Sequence, residues 1–166
     1  LICPSDMMDG RVKVIRTKLD QHGFRHIPIM SYTSKQSSSM YHPFRNAVSS
    51  TFKGNRNQYQ HPIGSRNLAI RALKRDLEEG ADFLVVKPSL FYGDIIKTFA
   101  EQSNCPIACY IVSGEYSMLK CYGEQNDNLI AVVLEAHLSL IRAGATILIT
   151  YFVPLLLEHL RTTARS

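Results

Sequence analysis

The sequence has few cysteines, and they are widely spaced. Cys3, Cys105, Cys109 and Cys121 form no C-x-x-C pair and lack the dense spacing of a secreted, disulfide-stabilised domain. We therefore expect reduced thiols and a cytoplasmic protein. A plastid location would require a transit peptide upstream of Leu1.

Long apolar or basic runs are also missing. The apolar stretch 153–157 is short and contains Pro154, so we predict no membrane-spanning segment. The 19 basic and 14 acidic side chains leave a net charge of +5, and the basic residues are scattered. This charge can attract a phosphate or a carboxylate, but without a basic run we predict no nucleic-acid partner.

The histidines show no metal-ligand spacing with the cysteines. We therefore expect them at surface or helix positions and predict no metal site built by this chain alone. They are His22, His26, His42, His61, His137 and His159.

Apolar runs typical of buried strands alternate along the chain with segments of helical periodicity. Strands are expected at 1–4, 27–31, 83–87, 106–112 and 146–150. Helices are expected at 11–21, 65–79, 94–102, 116–122, 128–142 and 154–161. Five β/α units in this order predict right-handed crossovers and five parallel strands.

Five units are too few for a closed eight-stranded barrel, which needs about 250 residues. The chain has 166 residues, begins with Leu1 and not Met, and opens on what reads as the end of a buried strand. We therefore expect residues 1–166 to form part of a TIM-type (β/α)8 barrel, supplying its last five units. The other three would lie upstream.

Two of the predicted strands run into a lysine. The run 83–86 leads to Lys87, and the run that begins at Ile27 leads to Lys35. In an α/β barrel, catalytic residues lie at this carboxyl end of the strands. A lysine attacks a carbonyl carbon only as the neutral amine, which burial and a neighbouring cation both favour. Two facing lysines could hold two carbonyl substrates as Schiff bases; the alternative for each is a solvated or carboxylate-paired ammonium.

The segment 36–64 is rich in Ser, Asn, Gln, Gly and Pro, which predicts an active-site lid. Its Arg45 and Arg56 could each grip a carboxylate through two parallel hydrogen bonds. Ser113 and Tyr151 follow two other strands. Their hydroxyls could bind a second carboxylate, or could serve only as local caps.

Six short motifs occur in the order and near the spacing found in one enzyme family. They are SDMMDGR (5–11), MSYTSK (30–35), YHPFR (41–45), VKP (86–88), VSGEY (112–116) and TYF (150–152). Together they resemble porphobilinogen synthase, also called 5-aminolevulinate dehydratase. The resemblance extends over about residues 2–160 and covers the C-terminal half of that family's polypeptide.

The resemblance implies a hydro-lyase that condenses two molecules of 5-aminolevulinate, with loss of water, to porphobilinogen in tetrapyrrole (heme) biosynthesis. By motif position, Lys87 would form the Schiff base with the first substrate and Lys35 with the second. The positions that receive the first substrate's carboxylate correspond to Ser113 and Tyr151. Those for the second correspond to Arg45, Arg56 and Gln60.

The resemblance further implies no organic cofactor, zinc or magnesium held by residues outside this chain, and a homo-oligomer, an octamer in the family. Two alternatives remain open. The chain could be a noncatalytic remnant that acts only as an association module through its exposed sheet edges. It could also be a different Schiff-base lyase on the same barrel if the lid arginines bind a phosphate.

Overall fold

The computed structural model describes residues 1–41 and 58–164, so Arg45, Arg56 and most of the predicted lid lie outside the described residues. The strands are β1 (Met30–Lys35), β2 (Phe83–Lys87), β3 (Ile107–Tyr110) and β4 (Ile147–Ile149). The α-helices are α1 (Arg11–Gln21), α2 (Arg66–Glu78), α3 (Gly93–Gln102), α4 (Ser113–Gln125), α5 (Leu129–Ala143) and α6 (Val153–Thr163). A short 3-10 helix, Ser39–Tyr41, follows β1.

The four strands form one parallel sheet in the order β1-β2-β3-β4, with helices between them, as in part of an α/β barrel. The expected first strand is reduced to one bridge between Ile2 and Ile29. The Ile2 amide donates to the Pro28 carbonyl at 2.9 Å, and the Ile2 carbonyl accepts from the Met30 amide at 2.8 Å. The described residues thus give four strands and not five, because Pro4 has no amide hydrogen to continue this ladder.

Alternate strand residues contribute to two apolar layers. The layer between the sheet and the helices includes Ile29, Leu84, Val86, Ile107 and Cys109 from the strands and Leu73, Ile96, Phe99 and Leu140 from the helices. The opposite layer contains Met30, Val85 and Ala108, with Tyr32, Phe83, Tyr110, Ile147 and Ile149 packed against them. This second face is the one that a closed barrel turns inward.

Two elements differ from the expected bounds by three or four residues at each end. β1 begins at Met30, after Pro28, and continues to Lys35 because its polar second half still pairs with β2. Helix α4 begins at Ser113 and not at residue 116, because the Glu115 side chain accepts the Val112 amide at 2.8 Å and completes the first turn. Within the part of the chain that the structure describes, no helix is both long and apolar enough to cross a membrane.

Candidate active site

The two predicted lysines are neighbours in the sheet. Lys35 ends β1 and Lys87 ends β2, and their Cα atoms are partners in the register. Between Ser31 and Ser34 the register shifts, so that β1 contains one extra residue relative to β2. Side chains alternate along a regular strand, which would place Lys35 on the face opposite Tyr32. The bulge reverses this phase and brings Lys35 onto the inward face beside Lys87.

The Lys87 amine is surrounded by aromatic rings. Its Nζ lies 3.9 Å from the centroid of the Tyr110 ring, 5.5 Å from that of Tyr32 and 5.7 Å from that of Tyr41. Burial, the larger cause, and the positive charge of Lys35 lower the pKa of Lys87 to about 8. At pH 7 this leaves roughly 300 times more neutral amine than a lysine with a pKa of 10.5. Lys87 therefore has the chemistry of a nucleophilic amine.

Lys35, at the end of β1, lies near one of the rings that surround Lys87, that of Tyr32. Its Nζ lies 5.5 Å from the Tyr32 centroid and donates a hydrogen bond to the Ser5 carbonyl at 2.9 Å. Ser5 belongs to the segment that follows the Ile2 bridge. The two amines therefore lie at the same distance, 5.5 Å, from the centroid of one tyrosine ring.

A cavity of about 610 Å³ opens over both lysines. This volume is typical of a small-molecule site. Its lining residues are Ser5, Asp6, Met8, Arg11, Tyr32, Lys35, Tyr41, Tyr59, Gln60 and Lys87. A larger cavity of about 740 Å³ lies mainly against α2 and contains neither lysine, so volume alone does not identify the site.

Ser113 and Tyr151 lie on the other side of Lys87. With Lys87, Tyr41, Tyr110 and Val112 they line a small cavity of about 20 Å³. The Tyr110 and Tyr151 side chains are hydrogen-bonded, and burial is the largest of the causes that raise the pKa of Tyr110 to about 12. Lys87 and Tyr41 line both cavities, so they lie between the Lys35 side of the site and the side with the two hydroxyls.

Residues near both ends of the predicted lid are hydrogen-bonded to the backbone carbonyls of the two lysines. The Tyr41 hydroxyl donates to the Lys87 carbonyl at 3.2 Å, and the His61 amide donates to the Lys35 carbonyl at 2.9 Å. This second bond holds Gln60 over the cavity, and the residue is only 3 % exposed. The side-chain oxygen of Gln60 has no hydrogen-bond partner among the described residues.

Sequence reasoning missed Glu115, which is completely buried beside the site. Its carboxylate accepts hydrogen bonds from the amides of Ser89 (3.2 Å), Leu90 (2.8 Å) and Val112 (2.8 Å). Burial raises the pKa of Glu115 to about 7, although these three bonds act to lower it. The sequence does contain one signal for this residue, since a glutamate at the third position of a helix that begins at a strand end is typical of a helix cap.

His137 lies on α5, as expected of a helix residue, but it is buried. Its Nδ1 is 2.6 Å from the Val133 carbonyl and its Nε2 is 3.0 Å from the Thr150 hydroxyl. Burial lowers the pKa of His137, which favours a neutral ring. The contact with Thr150 fixes the backbone immediately before Tyr151.

The fold and site together define a class of protein. Two lysines paired in register at the carboxyl edge of a parallel sheet, one with a lowered pKa, are suited to forming imines with carbonyl compounds. Hydroxyls and an amide side chain around the two amines can hold the polar parts of such a ligand.

Comparison with known proteins identifies the family. The family model for delta-aminolevulinic acid dehydratase matches residues 1–159. A delta-aminolevulinic acid dehydratase from Methanothermus sociabilis is 47 % identical over 161 residues, which cover 96 % of this chain and 50 % of the relative. The Bacillus subtilis (strain 168) protein is 50 % identical over 154 residues, covering 91 % and 47 %. A Pisum sativum relative named as chloroplastic is 47 % identical, covering 92 % and 39 %.

A solved structure gives the same result. The delta-aminolevulinic acid dehydratase (porphobilinogen synthase) of Toxoplasma gondii ME49, in complex with its reaction product porphobilinogen, matches with a TM-score of 0.85 and 42 % identity. The match covers 90 % of this chain and 44 % of that one. The chain therefore belongs to the delta-aminolevulinic acid dehydratase family, as its motifs predict, and spans about half the length of the curated relatives it matches.

Proposed function

We propose that the protein containing this chain is a porphobilinogen synthase, which condenses two molecules of 5-aminolevulinate with loss of water to give porphobilinogen in tetrapyrrole biosynthesis. The observation that carries this proposal is the in-register pair Lys35 and Lys87 on one cavity, with the lowered pKa of Lys87. The Toxoplasma gondii relative, which binds porphobilinogen, supports the same choice of substrate.

In the proposed reaction, the neutral Lys87 amine attacks the ketone carbon of the first 5-aminolevulinate. A carbon–nitrogen bond forms, the ketone oxygen leaves as water, and the substrate is held as an imine. Lys35 binds the second molecule in the same way. Because the two lysines are adjacent in register, the two bound molecules would lie side by side, which replaces a collision in solution by a reaction between oriented neighbours.

The carboxylates of the two substrates are assigned to opposite sides of Lys87. Ser113 and Tyr151 lie in the small cavity beside Lys87 and would receive the carboxylate of the first molecule. Gln60 lines the larger cavity with Lys35 and would receive that of the second. We assign Arg45 and Arg56 to the second carboxylate as well. That assignment, and a lid over 36–64, rest on the sequence, since both arginines lie outside the described residues.

These steps use no organic cofactor. The family resemblance implies a zinc or magnesium ion, but residues 1–41 and 58–164 contain no group of three or more His, Cys, Asp or Glu side chains suited to holding one. We therefore assign no metal ligand to this chain and derive no step through a metal. We further propose a homo-oligomer and a cytoplasmic location, with a plastid as the alternative that the Pisum sativum relative suggests.

Borohydride trapping tests the proposal. The full-length gene product is incubated with 5-aminolevulinate, reduced, digested and mapped by mass spectrometry. We expect an adduct on Lys87, and on Lys35 at higher substrate concentration. Lys87→Ala should abolish the first adduct, whereas Lys97→Ala, at a lysine on α3 that is 67 % exposed, should change nothing.

Two outcomes would contradict this function. Folded protein that gives no adduct on Lys87 would show that this lysine is not an imine-forming amine. Adducts on both lysines without release of porphobilinogen would instead support the noncatalytic alternative, in which the site persists without turnover.

A further inference from the structure

The first turn of α4 contacts three parts of the site through consecutive residues. Ser113 lines the small cavity with Lys87. Gly114 lies against the backbone of Met40, so closely that a Cβ on this glycine would be 2.5 Å from the Met40 carbonyl oxygen. Glu115 points into the protein and is completely buried. This turn therefore joins segments that are far apart in the sequence.

Glu115 binds the segment that follows Lys87. The register between β2 and β3 ends at Val86, so the ladder with β3 does not extend beyond Lys87. The next two amides, those of Ser89 and Leu90, both donate to Oε1 of Glu115, at 3.2 and 2.8 Å. Oε2 accepts from Val112, next to Ser113. A single carboxylate thus connects the backbone after Lys87 to the backbone before Ser113.

We propose that Glu115 is a positioning residue that holds the loop after Lys87 against the start of α4, and so fixes the Lys87 amine in its aromatic enclosure relative to Ser113. The part of this inference that concerns imine formation rests on the proposed function. The structural part, which is the placement of the Lys87 amine, does not depend on the proposed function.

A purely local role does not account for these contacts. A glutamate at the third position of a helix can cap its own helix, and the bond to Val112 has that form. The bonds to Ser89 and Leu90 bridge 26 and 25 residues of sequence, and the Ser89 bond is buried. A buried amide that loses its acceptor is costly, so the loop after Lys87 would have to rearrange if this carboxylate were lost.

Glu115→Gln changes one carboxylate oxygen into an NH₂ group, which cannot accept a hydrogen bond from an amide. At least one side of the connection is then lost. If the loop loosens, water reaches Lys87 and the burial that lowers its pKa is weakened. The expected sign is therefore a rise in the pKa of Lys87. Loss of a nearby negative charge has the opposite effect, because a carboxylate favours the ammonium.

The test measures the reactivity of Lys87 itself, in the full-length protein, as acylation by acetic anhydride against pH with mass-spectrometric mapping. In Glu115→Gln the midpoint should move toward that of an ordinary lysine. A rise of about one pH unit lowers the neutral fraction at pH 8 from about one half to about one tenth, a roughly fivefold slower acylation. Asp82→Asn is the matched control. The Asp82 carboxylate also accepts a hydrogen bond from a backbone amide, that of Ile29 at 2.8 Å, but it lies at the amino ends of the strands. Its Lys87 midpoint should equal that of the unsubstituted protein.

Other outcomes overturn the inference. An unchanged midpoint in folded Glu115→Gln would show that Glu115 stabilises the fold without positioning Lys87. A lowered midpoint would show that it acts as a counter-charge. A shifted midpoint in a protein that forms no adduct with 5-aminolevulinate would retain the positioning role and refute the proposed function, so the two failures are distinguishable.

A second measurement needs no variant and decides the case if Glu115→Gln does not fold. Hydrogen exchange of the Ser89 and Leu90 amides is followed in the unsubstituted protein. Both residues lie outside the strands and their amides donate to Glu115, so slow exchange is expected. Exchange as fast as that of an exposed loop amide would overturn the proposal.

Discussion

Replacing Lys35 by methionine should make Lys87 harder to deprotonate. The pKa of Lys87 is lowered from 10.5 to about 8 by two causes, of which burial is the larger and the positive charge of Lys35 the smaller. The charge of Lys35 therefore accounts for less than half of the decrease in the pKa of Lys87. Methionine is flexible, similar in length and uncharged, so Lys35→Met should raise the pKa of Lys87 by about one pH unit at most.

The consequence for reactivity follows from the protonation equilibrium. Near pH 7 most Lys87 is protonated, so a rise of about one pH unit leaves roughly tenfold less neutral amine. The rate of imine formation on Lys87 should fall by about the same factor at pH 7 and recover at higher pH. The midpoint should still lie below that of a free lysine, because the burial of Lys87 remains.

The assay is the initial rate of imine formation on Lys87 against pH, trapped with borohydride in the full-length protein. Lys35→Arg is the matched variant, since it keeps the positive charge and removes the primary amine. It should follow the unsubstituted protein, whereas Lys35→Met should be displaced to higher pH. Identical profiles for all three proteins would refute the electrostatic coupling. If the Lys35→Met profile moved as far as that of an ordinary lysine, burial would not be the main cause of the lowered pKa of Lys87.

Three further substitutions test other contacts. Gly114→Ala places a Cβ 2.5 Å from the Met40 oxygen and should cost about 1–3 kcal/mol in urea unfolding, whereas Gly64→Ala, with no atom within 4 Å, should change little. Equal unfolding midpoints for these two variants would contradict the close approach. Tyr151→Phe removes a hydroxyl from the cavity beside Lys87, so KM for 5-aminolevulinate should rise about 10- to 100-fold, as for a lost hydrogen bond to a charged group; an unchanged KM would remove Tyr151 from the site. Asp76→Ala deletes a buried carboxylate that binds a serine hydroxyl at 2.6 Å and an arginine, so unfolding should be easier by about 3–5 kcal/mol, and a loss under 1 kcal/mol would show the network to be dispensable.

Much of this site could be predicted because it depends on strand ends. The run that ends at Lys87 is apolar on both faces, so its strand character and its lysine are visible without a structure. The motifs around Lys35, Ser113 and Tyr151 then identify the family, which the family comparison confirms. Helix α1 was predicted with its observed bounds, because its apolar stripe and the positive-φ Gly23 after it are local signals.

Pairing between segments could not be predicted in this way. The first strand was expected from apolar composition, but it is limited to one bridge because Pro4 cannot donate to the Ile29–Met30 edge. The contacts of Glu115 join residues 25 and 26 positions apart, and no local pattern reports them. A long-range hydrogen bond depends on how two loops are brought together, which is a property of the fold.

The bulge in β1 shows the same limit at the centre of the site. By strict alternation, Lys35 would lie on the opposite face from Tyr32, toward the helices, while Lys87 lies on the same face as Val85, toward the barrel interior. Without the bulge, strict alternation would therefore place the two amines on opposite faces of the sheet. The extra residue between Ser31 and Ser34 corrects the phase and places both amines on the inward face. The pairing of the lysines, on which the proposed chemistry depends, thus arises from a local departure from regular strand geometry.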